Sequence, residues 1–251
     1  MKENIHPLGN FKIKFVKFCS KFVSNFFLHI ISLFFKINKK NSEVIISSAF
    51  FAPWKDNSIF RDFYLKISDT TILDTKRLYT LWFFSENLRD VNADIVDLGC
   101  LKGGVGYVMS KANKKGRVHL IDSFEGLIEN DHYHSKGHFI FKDKDFVENK
   151  IKELKLNNTK VFKLNFPKGA DNIFKNKKIK LCHIDVNTYN STKKSFYYIK
   201  KKLIKNGVII FDDYGIHSAV GVKKFVDSLI KKDKEFTYIN NYMGQCILIK
   251  K

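Results

Sequence analysis

Past residue 93 the chain alternates short apolar runs with segments whose apolar positions recur every three or four residues. These two periodicities separate buried strands from amphipathic helices. Residues 93–97, 117–122, 160–164, 180–185 and 207–212 read as strands, and 236–239 and 245–249 read as two more. The last two meet at Asn240, Asn241 and Gly244, a turn compatible with an antiparallel hairpin. Residues 103–114, 144–156, 191–203 and 219–230 read as helices, the last with Val222, Phe225, Val226, Leu229 and Ile230 on one face. Strands alternating with helices predict an α/β fold with a doubly wound, mostly parallel sheet of seven strands. Upstream, apolar positions 60, 63, 64 and 67 and then 78, 81, 82 and 84 keep helical spacing, so two helices precede the first strand.

Residues 11–35 follow another pattern, aromatic and aliphatic, interrupted by Lys12, Lys14, Lys17 and Lys21 and closed by Lys36, Lys39 and Lys40. The unbroken apolar part is too short, and too interrupted by Ser24, Asn25 and His29, to span a bilayer comfortably. Lys14, Lys17 and Lys21 share one helical face, and Phe15, Phe18, Phe22 and Phe26 share another. That layout suits a helix lying in a membrane interface, and equally one packed on its own domain or on a dimer partner. No small-residue cleavage site follows, which argues against a secretory signal. The expected division is a basic apolar helical arm over 1–42 and one domain over 43–251, with a homo-oligomer left open.

Composition changes the picture little. A chain of 251 residues can bury one sizeable core. Its 45 Lys plus Arg against 25 Asp plus Glu give a formal charge of +20. The lysines are dispersed rather than gathered in a stripe, so no nucleic-acid partner is expected. Cys19, Cys100, Cys182 and Cys246 contain no CxxC pair, which excludes a disulfide framework and a cysteine zinc site. They read as reduced residues of a cytoplasmic protein. If the interfacial reading of the arm holds, that protein sits on the inner face of the membrane.

The candidate chemistry starts at Asp97-Leu98-Gly99-Cys100-Leu101-Lys102-Gly103-Gly104, where an apolar strand ends in a carboxylate and turns glycine-rich. Gly99 allows a sharp turn, and Gly103 and Gly104 open the start of the next helix to a ligand. The spacing is not the dinucleotide fingerprint, and is similar to the first motif of class I S-adenosylmethionine (SAM) methyltransferases. Asp122 ends the second strand, where a carboxylate in nucleotide-binding folds accepts hydrogen bonds from ribose hydroxyls. Asp185, Asp212 and Asp213 stand at the ends of the fourth and fifth strands and border the same crevice. Three converging carboxylates call for a cation, and an all-oxygen set suits Mg²⁺. His132, His134 and His138 fall where a lid would sit, as polar contacts to a substrate rather than a zinc site, and His217 is a candidate base.

Several segments together resemble the macrocin O-methyltransferase family. They are Ala52-Pro53-Trp54-Lys55-Asp56, Thr71-Ile72-Leu73-Asp74 with Arg77-Leu78-Tyr79, the glycine turn, Asp122-Ser123-Phe124-Glu125-Gly126-Leu127, Phe166-Pro167, Ile184-Asp185 with Tyr189, Ser191 and Thr192, and Asp212-Asp213-Tyr214-Gly215. The resemblance implies a SAM- and Mg²⁺-dependent enzyme that methylates a sugar hydroxyl of a glycoside or a surface polysaccharide precursor. It implies metal ligands at Asp185, Asp212 and Asp213. It implies cofactor contacts at Asp97, Gly99, Gly103, Gly104, Asp122 and Ser123, with Asn165 and Phe166 at the adenine pocket. Two departures stand out. Asp185-Val186-Asn187 replaces the family's Asp-Gly-Asp, so Asp185 itself becomes the first candidate for a base, and Leu164-Asn165 stands where a glycine usually precedes Phe-Pro. A catechol-like or other vicinal diol acceptor shares the metal chemistry, and a membrane-attached SAM-binding scaffold without turnover is the alternative of another class.

Overall fold

The structure, a computed structural model, describes residues 9–34, 44 and 51–251. The chain forms two compact units, Met1–Pro53 and Trp54–Lys251, a division that falls later than residue 42. In the first unit, helix α1 runs unbroken over Gly9–Phe34, 26 residues and so about 39 Å at 1.5 Å per residue. Ser24, Asn25 and His29 do not break it, because a polar side chain leaves the helical backbone bonds in place, and Ser24 Oγ donates to the Val44 carbonyl at 2.5 Å. The segment Lys14–Phe34 is long and apolar enough by length and composition alone to cross a membrane, which corrects the expectation that it was too short. The polar break at 38–43 and Lys36, Lys39 and Lys40 lie outside the described residues.

Three helices lead to the sheet: α2 (Pro53–Asp56), α3 (Ser58–Leu65) and α4 (Thr75–Asn87). Asn57 caps α3 through the Phe60 amide, and Asp74 caps α4 through the amides of Lys76 and Arg77, each satisfying donors that a helix start leaves unpaired. The alternating part runs β1 (Asp94–Leu98), α5 (Gly104–Ala112), β2 (Val118–Asp122), α6 (Lys144–Glu153), β3 (Thr159–Lys163), α7 (Asp171–Phe174), β4 (Ile179–Ile184), α8 (Tyr189–Lys200), β5 (Leu203–Phe211), α9 (Val220–Lys232), β6 (Phe236–Asn240) and β7 (Cys246–Lys250). The seven strands lie in the order β3-β2-β1-β4-β5-β7-β6. The first five are parallel, and β7 and β6 close the sheet antiparallel as the expected hairpin.

The central strands β1, β2 and β4 are buried almost throughout because both faces of the sheet are covered there, whereas β3 and β6 at the edges are partly exposed. On one face Ile95, Val118, Leu120, Leu181, Val208 and Ile210 pack with residues of α3, α4 and α5 such as Phe60, Leu81 and Val108. On the other face Val96, Leu98, Ile121, Cys182, Ile209 and Phe211 pack with Phe174, Phe196, Phe225 and Leu229. Three boundaries differ by three residues or more from the pattern read along the chain, the end of α6 at Glu153 being one. Helix α8 ends at Lys200 and β5 begins at Leu203, because Leu203 pairs with Ile179 across the sheet before a register shift. The short helix α7 was not anticipated, since a single turn is too brief to show a period.

One buried charge ties the lower edge of the sheet together. Lys180, fully buried on β4, donates from Nζ to the carbonyls of Val91 and Lys115 at 2.9 and 2.8 Å and to Asn113 Oδ1 at 2.7 Å. Burial lowers its pKa to about 8, while Asp94 and Asp90 oppose the fall, so it remains an ammonium at neutral pH. Three acceptors match the three donors of that group. Lys180→Met keeps the stem and strands the acceptors, so urea unfolding should show a loss of about 3 kcal/mol.

Candidate active site

Strands β2 and β3 lie on one side of β1, and β4 and β5 on the other, so the connections diverge at β1 and open a crevice at the carboxyl ends. Leu98, Ile184 and Phe211 are aligned across the sheet, which brings the residues that follow them, Gly99, Asp185 and Asp212, into one row. Gly99 has φ 86°, and a Cβ there would lie 1.8 Å from the Asp185 carbonyl oxygen. Only glycine permits that contact. One cavity is lined by Gly99, Cys100, Leu101, Gly104, Asp122, Ser123, Leu127, Asn165, Phe166, Asp185, Asn187, Asp212 and Asp213, among others.

Asp122 acts as a buckle at the β2 end. Its Oδ2 accepts the Leu101 amide and its Oδ1 the Phe124 amide, both at 2.8 Å, so one carboxylate ties the glycine turn to the loop after β2. Burial raises its pKa, and those two amides pull the other way. Each oxygen keeps a second lone pair for a ligand. Ser123 Oγ donates to the Gly126 carbonyl at 2.9 Å and shapes the same loop. Asn165 and Phe166 line the cavity beside it, and the Phe166–Pro167 peptide is cis.

Two members of the glycine turn serve the protein rather than a ligand. A Cβ at Gly103 would strike the Tyr107 ring at 2.5 Å, and one at Gly104 would meet the Thr70 carbonyl oxygen at 2.7 Å. Gly104 still lines the cavity, whereas Gly103 does not. Asp97 does not line it either. It is wholly buried beneath the turn, and its Oδ1 lies 2.8 Å from His183 Nδ1, so the structure brings it to His183 rather than to the cavity wall.

The acidic end brings its own cations. Asp185, Asp212 and Asp213 converge, and Arg77, from α4, donates from Nη1 to Asp212 Oδ2 at 2.6 Å and Asp213 Oδ1 at 3.0 Å. Its Nε donates to Asp74 Oδ2 at 2.9 Å, which orients the guanidinium. Gln245 Nε2 donates to Asp212 Oδ1 at 2.9 Å, and His183 Nε2 stands 3.8 Å from that same oxygen. Burial would lower the His183 pKa, but Asp212 and Asp97 push it up to about 10. Asp185 is pushed well up by burial and by Asp213 and Asp212, and Asp213 up by burial and Asp212 despite Arg77.

Asp185 and Asp212 together with His183 place ligand atoms within 4.8 Å of one another, the group among the described residues that could hold a metal ion. Asp213 lies outside that group and is held by Arg77. Along the sequence neither His183 nor Arg77 carries a role in the site, although Arg77 stands in one of the segments that bear the family resemblance. His217 is exposed, stacks edge-on against Tyr133 and does not line the cavity, which removes the geometric basis for its role as a base. His132, His134 and His138 stay in the loop after β2, also outside the lining.

A seven-stranded sheet in this order, opening on a glycine turn and a β2 carboxylate, is the fold of class I SAM methyltransferases. Among solved structures, the O-methyltransferase NovP aligns with a TM-score of 0.59 at 18% identity over 72% of this chain and 82% of its own. CalS11, a calicheamicin methyltransferase, aligns with 0.59 at 12% over 83% and 99%, and an O-methyltransferase from Bacillus cereus in complex with SAH with 0.53 at 13% over 82% and 94%. No curated protein matches the chain. The chain belongs to the macrocin O-methyltransferase family, whose model matches residues 61–245, and it is a SAM-dependent O-methyltransferase.

Arg77 neutralises the buried carboxylate of Asp212 and the partly buried one of Asp213, so its loss leaves like charges facing each other in a poorly solvated place. Arg77→Leu should lower stability at neutral pH by about 3 kcal/mol. The deficit should shrink as pH falls and Asp213, whose pKa burial and the neighbouring Asp212 raise, takes up a proton, because protonation then removes the repulsion. Denaturant titrations at neutral and acidic pH measure both.

Proposed function

We propose that this enzyme transfers the methyl group of SAM to a hydroxyl of a sugar, with Mg²⁺ held by Asp185, Asp212 and Asp213. The observation that carries the reading is one cavity lined both by the ribose-type carboxylate Asp122 and by the acidic cluster of β4 and β5. The donor set fits the ion. Asp185 is pushed toward protonation by burial and by Asp213 and Asp212, and the His183 and Arg77 charges only partly offset this, so added positive charge there relieves a repulsion that the ion pairs of Arg77 with Asp212 and Asp213 leave standing. A bound Mg²⁺ supplies a Lewis acid that lowers the pKa of a coordinated hydroxyl.

The chain's own residues do the rest. Asp122 holds the ribose hydroxyls of SAM, Gly99 leaves the strand end open to the cofactor, and Asn165 and Phe166 wall the adenine. The acceptor oxygen attacks the methyl carbon, the carbon–sulfur bond breaks, and its electron pair stays on sulfur as S-adenosylhomocysteine leaves. The hydroxyl proton passes to Asp185. Asn187, two residues on and also in the cavity wall, cannot take it, and Asp212 and Asp213 are both occupied by Arg77. Holding the two substrates in line supplies much of the acceleration.

Asp122→Ala should weaken SAM binding by about 1.5–3 kcal/mol, the range for hydrogen bonds to a charged group. Unchanged affinity by calorimetry would remove Asp122 from the cofactor site. EDTA should abolish methyl transfer to a sugar acceptor while SAM binding persists, and Mg²⁺ should restore it. Asp185→Asn should cut turnover by about two to four orders of magnitude with little loss of stability. Full transfer in excess EDTA would sink the metal assignment, and transfer to catechols but to no glycoside would redirect the acceptor.

A further inference from the structure

Helix α1 lies before the region matched by the family and carries surface that the methyltransferase reaction does not use. Phe15, Phe18, Phe22, Phe26, Phe27, Leu33 and Phe34 are each about half exposed or more, from 48% at Phe27 to 77% at Phe34. A helix of a water-soluble domain would bury such a row. At 100° per residue the apolar side chains fill the wider arc, and Lys14, Lys17, Lys21, Asn25 and Ser32 follow one another along a narrower one. The polar stripe therefore runs from Lys14 to Asn25, is interrupted by Leu28 and resumes at Ser32. A spanning helix would carry that stripe through hydrocarbon, whereas a helix lying flat keeps it in water.

Charge selects the partner. From residue 4 to residue 42 there is no Asp or Glu, and there are seven lysines: Lys12, Lys14, Lys17, Lys21, Lys36, Lys39 and Lys40. A second copy of the helix would bring like charges together, and an anionic surface answers them. We infer that α1 is a docking element that lies in the plane of an anionic lipid bilayer, with its phenylalanines among the acyl chains and Lys14, Lys17 and Lys21 at the headgroups. Docking of this kind holds the enzyme at a membrane surface and does not depend on the acceptor proposed above.

The test uses the full chain with vesicles of phosphatidylcholine alone or mixed with phosphatidylglycerol. The protein should sediment with the mixed vesicles at low salt, bind the neutral ones far less, and be released as salt screens the lysines. Replacing Lys14, Lys17 and Lys21 together by Gln should weaken partitioning on the order of a hundredfold, since each lysine near the surface contributes about fivefold. Phe18→Ser with Phe22→Ser should abolish sedimentation while calorimetric SAM binding is retained, which shows the catalytic unit still folded. Equal binding to both vesicles, or binding that resists salt and alkaline carbonate, would mean a spanning helix and overturn the proposal. Failure to bind either vesicle, with a dimer that the Phe18→Ser, Phe22→Ser variant dissociates, would overturn it in favour of a second copy.

Discussion

The contact on which the site depends is the approach of two strand ends, Gly99 of the turn after β1 against the carbonyl of Asp185 after β4. It requires a residue with no side chain and a positive φ, and Gly99 is both. With that approach in place, the glycine turn, the β2 carboxylate and the β4 and β5 carboxylates share one cavity. Without it, the crevice between β1 and β4 would be wedged apart at its floor. The parallel register across β2, β1, β4 and β5 carries the alignment to the neighbouring strands.

Beneath that contact the protein manages charge in layers. Asp97 is buried under the turn and meets His183, which in turn faces Asp212. Asp212 receives Arg77 and Gln245 as well, so the most buried carboxylate of the cluster is also the best satisfied. Asp185 is left with repulsion and little compensation. The asymmetry leaves Asp185 as the carboxylate whose repulsion a bound cation would relieve most, beside Asp212 and Asp213 that Arg77 holds in place. It also gives the three acids different work, with Asp212 and Asp213 anchored and Asp185 free to exchange partners.

The helices before β1 are part of the same device. Asp74 caps α4 and orients Arg77 three residues later, and Arg77 crosses to the end of β5. Thr70, in the turn before α4, packs against Gly104 where α5 begins. The segment that precedes the alternating fold thus closes the cavity from outside the sheet, and Thr70, Thr71, Ile72, Leu73 and Arg77 all line it.

Much of this fold is legible along the chain. Apolar runs that end in Asp97, Asp122, Asp185 and Asp212 mark parallel strands and their carboxyl ends, because both the period of a strand and the placement of a polar residue at its tip are local. The hairpin of β6 and β7 and the helical spacing before β1 are local in the same way, and the motif segments carried the family resemblance. What each carboxylate does is not local. Asp97 and Asp122 look alike as strand-ending acids, yet Asp97 is in register with Leu120 and His183, two residues short of the level of Asp122, so it stays buried beside His183 while Asp122 reaches the carboxyl edge and opens on the cavity. Arg77 reaches Asp212 across 135 residues of sequence, and Lys180 collects acceptors from the connection before β1 and the one between α5 and β2, as only the order of strands and helices allows. The sequence by itself therefore determined the elements, the sheet class and the acids at the strand ends. The tertiary structure decided which acids are paired, which are left repelling one another and which glycines make room for protein, since those depend on distances that no spacing along the chain contains.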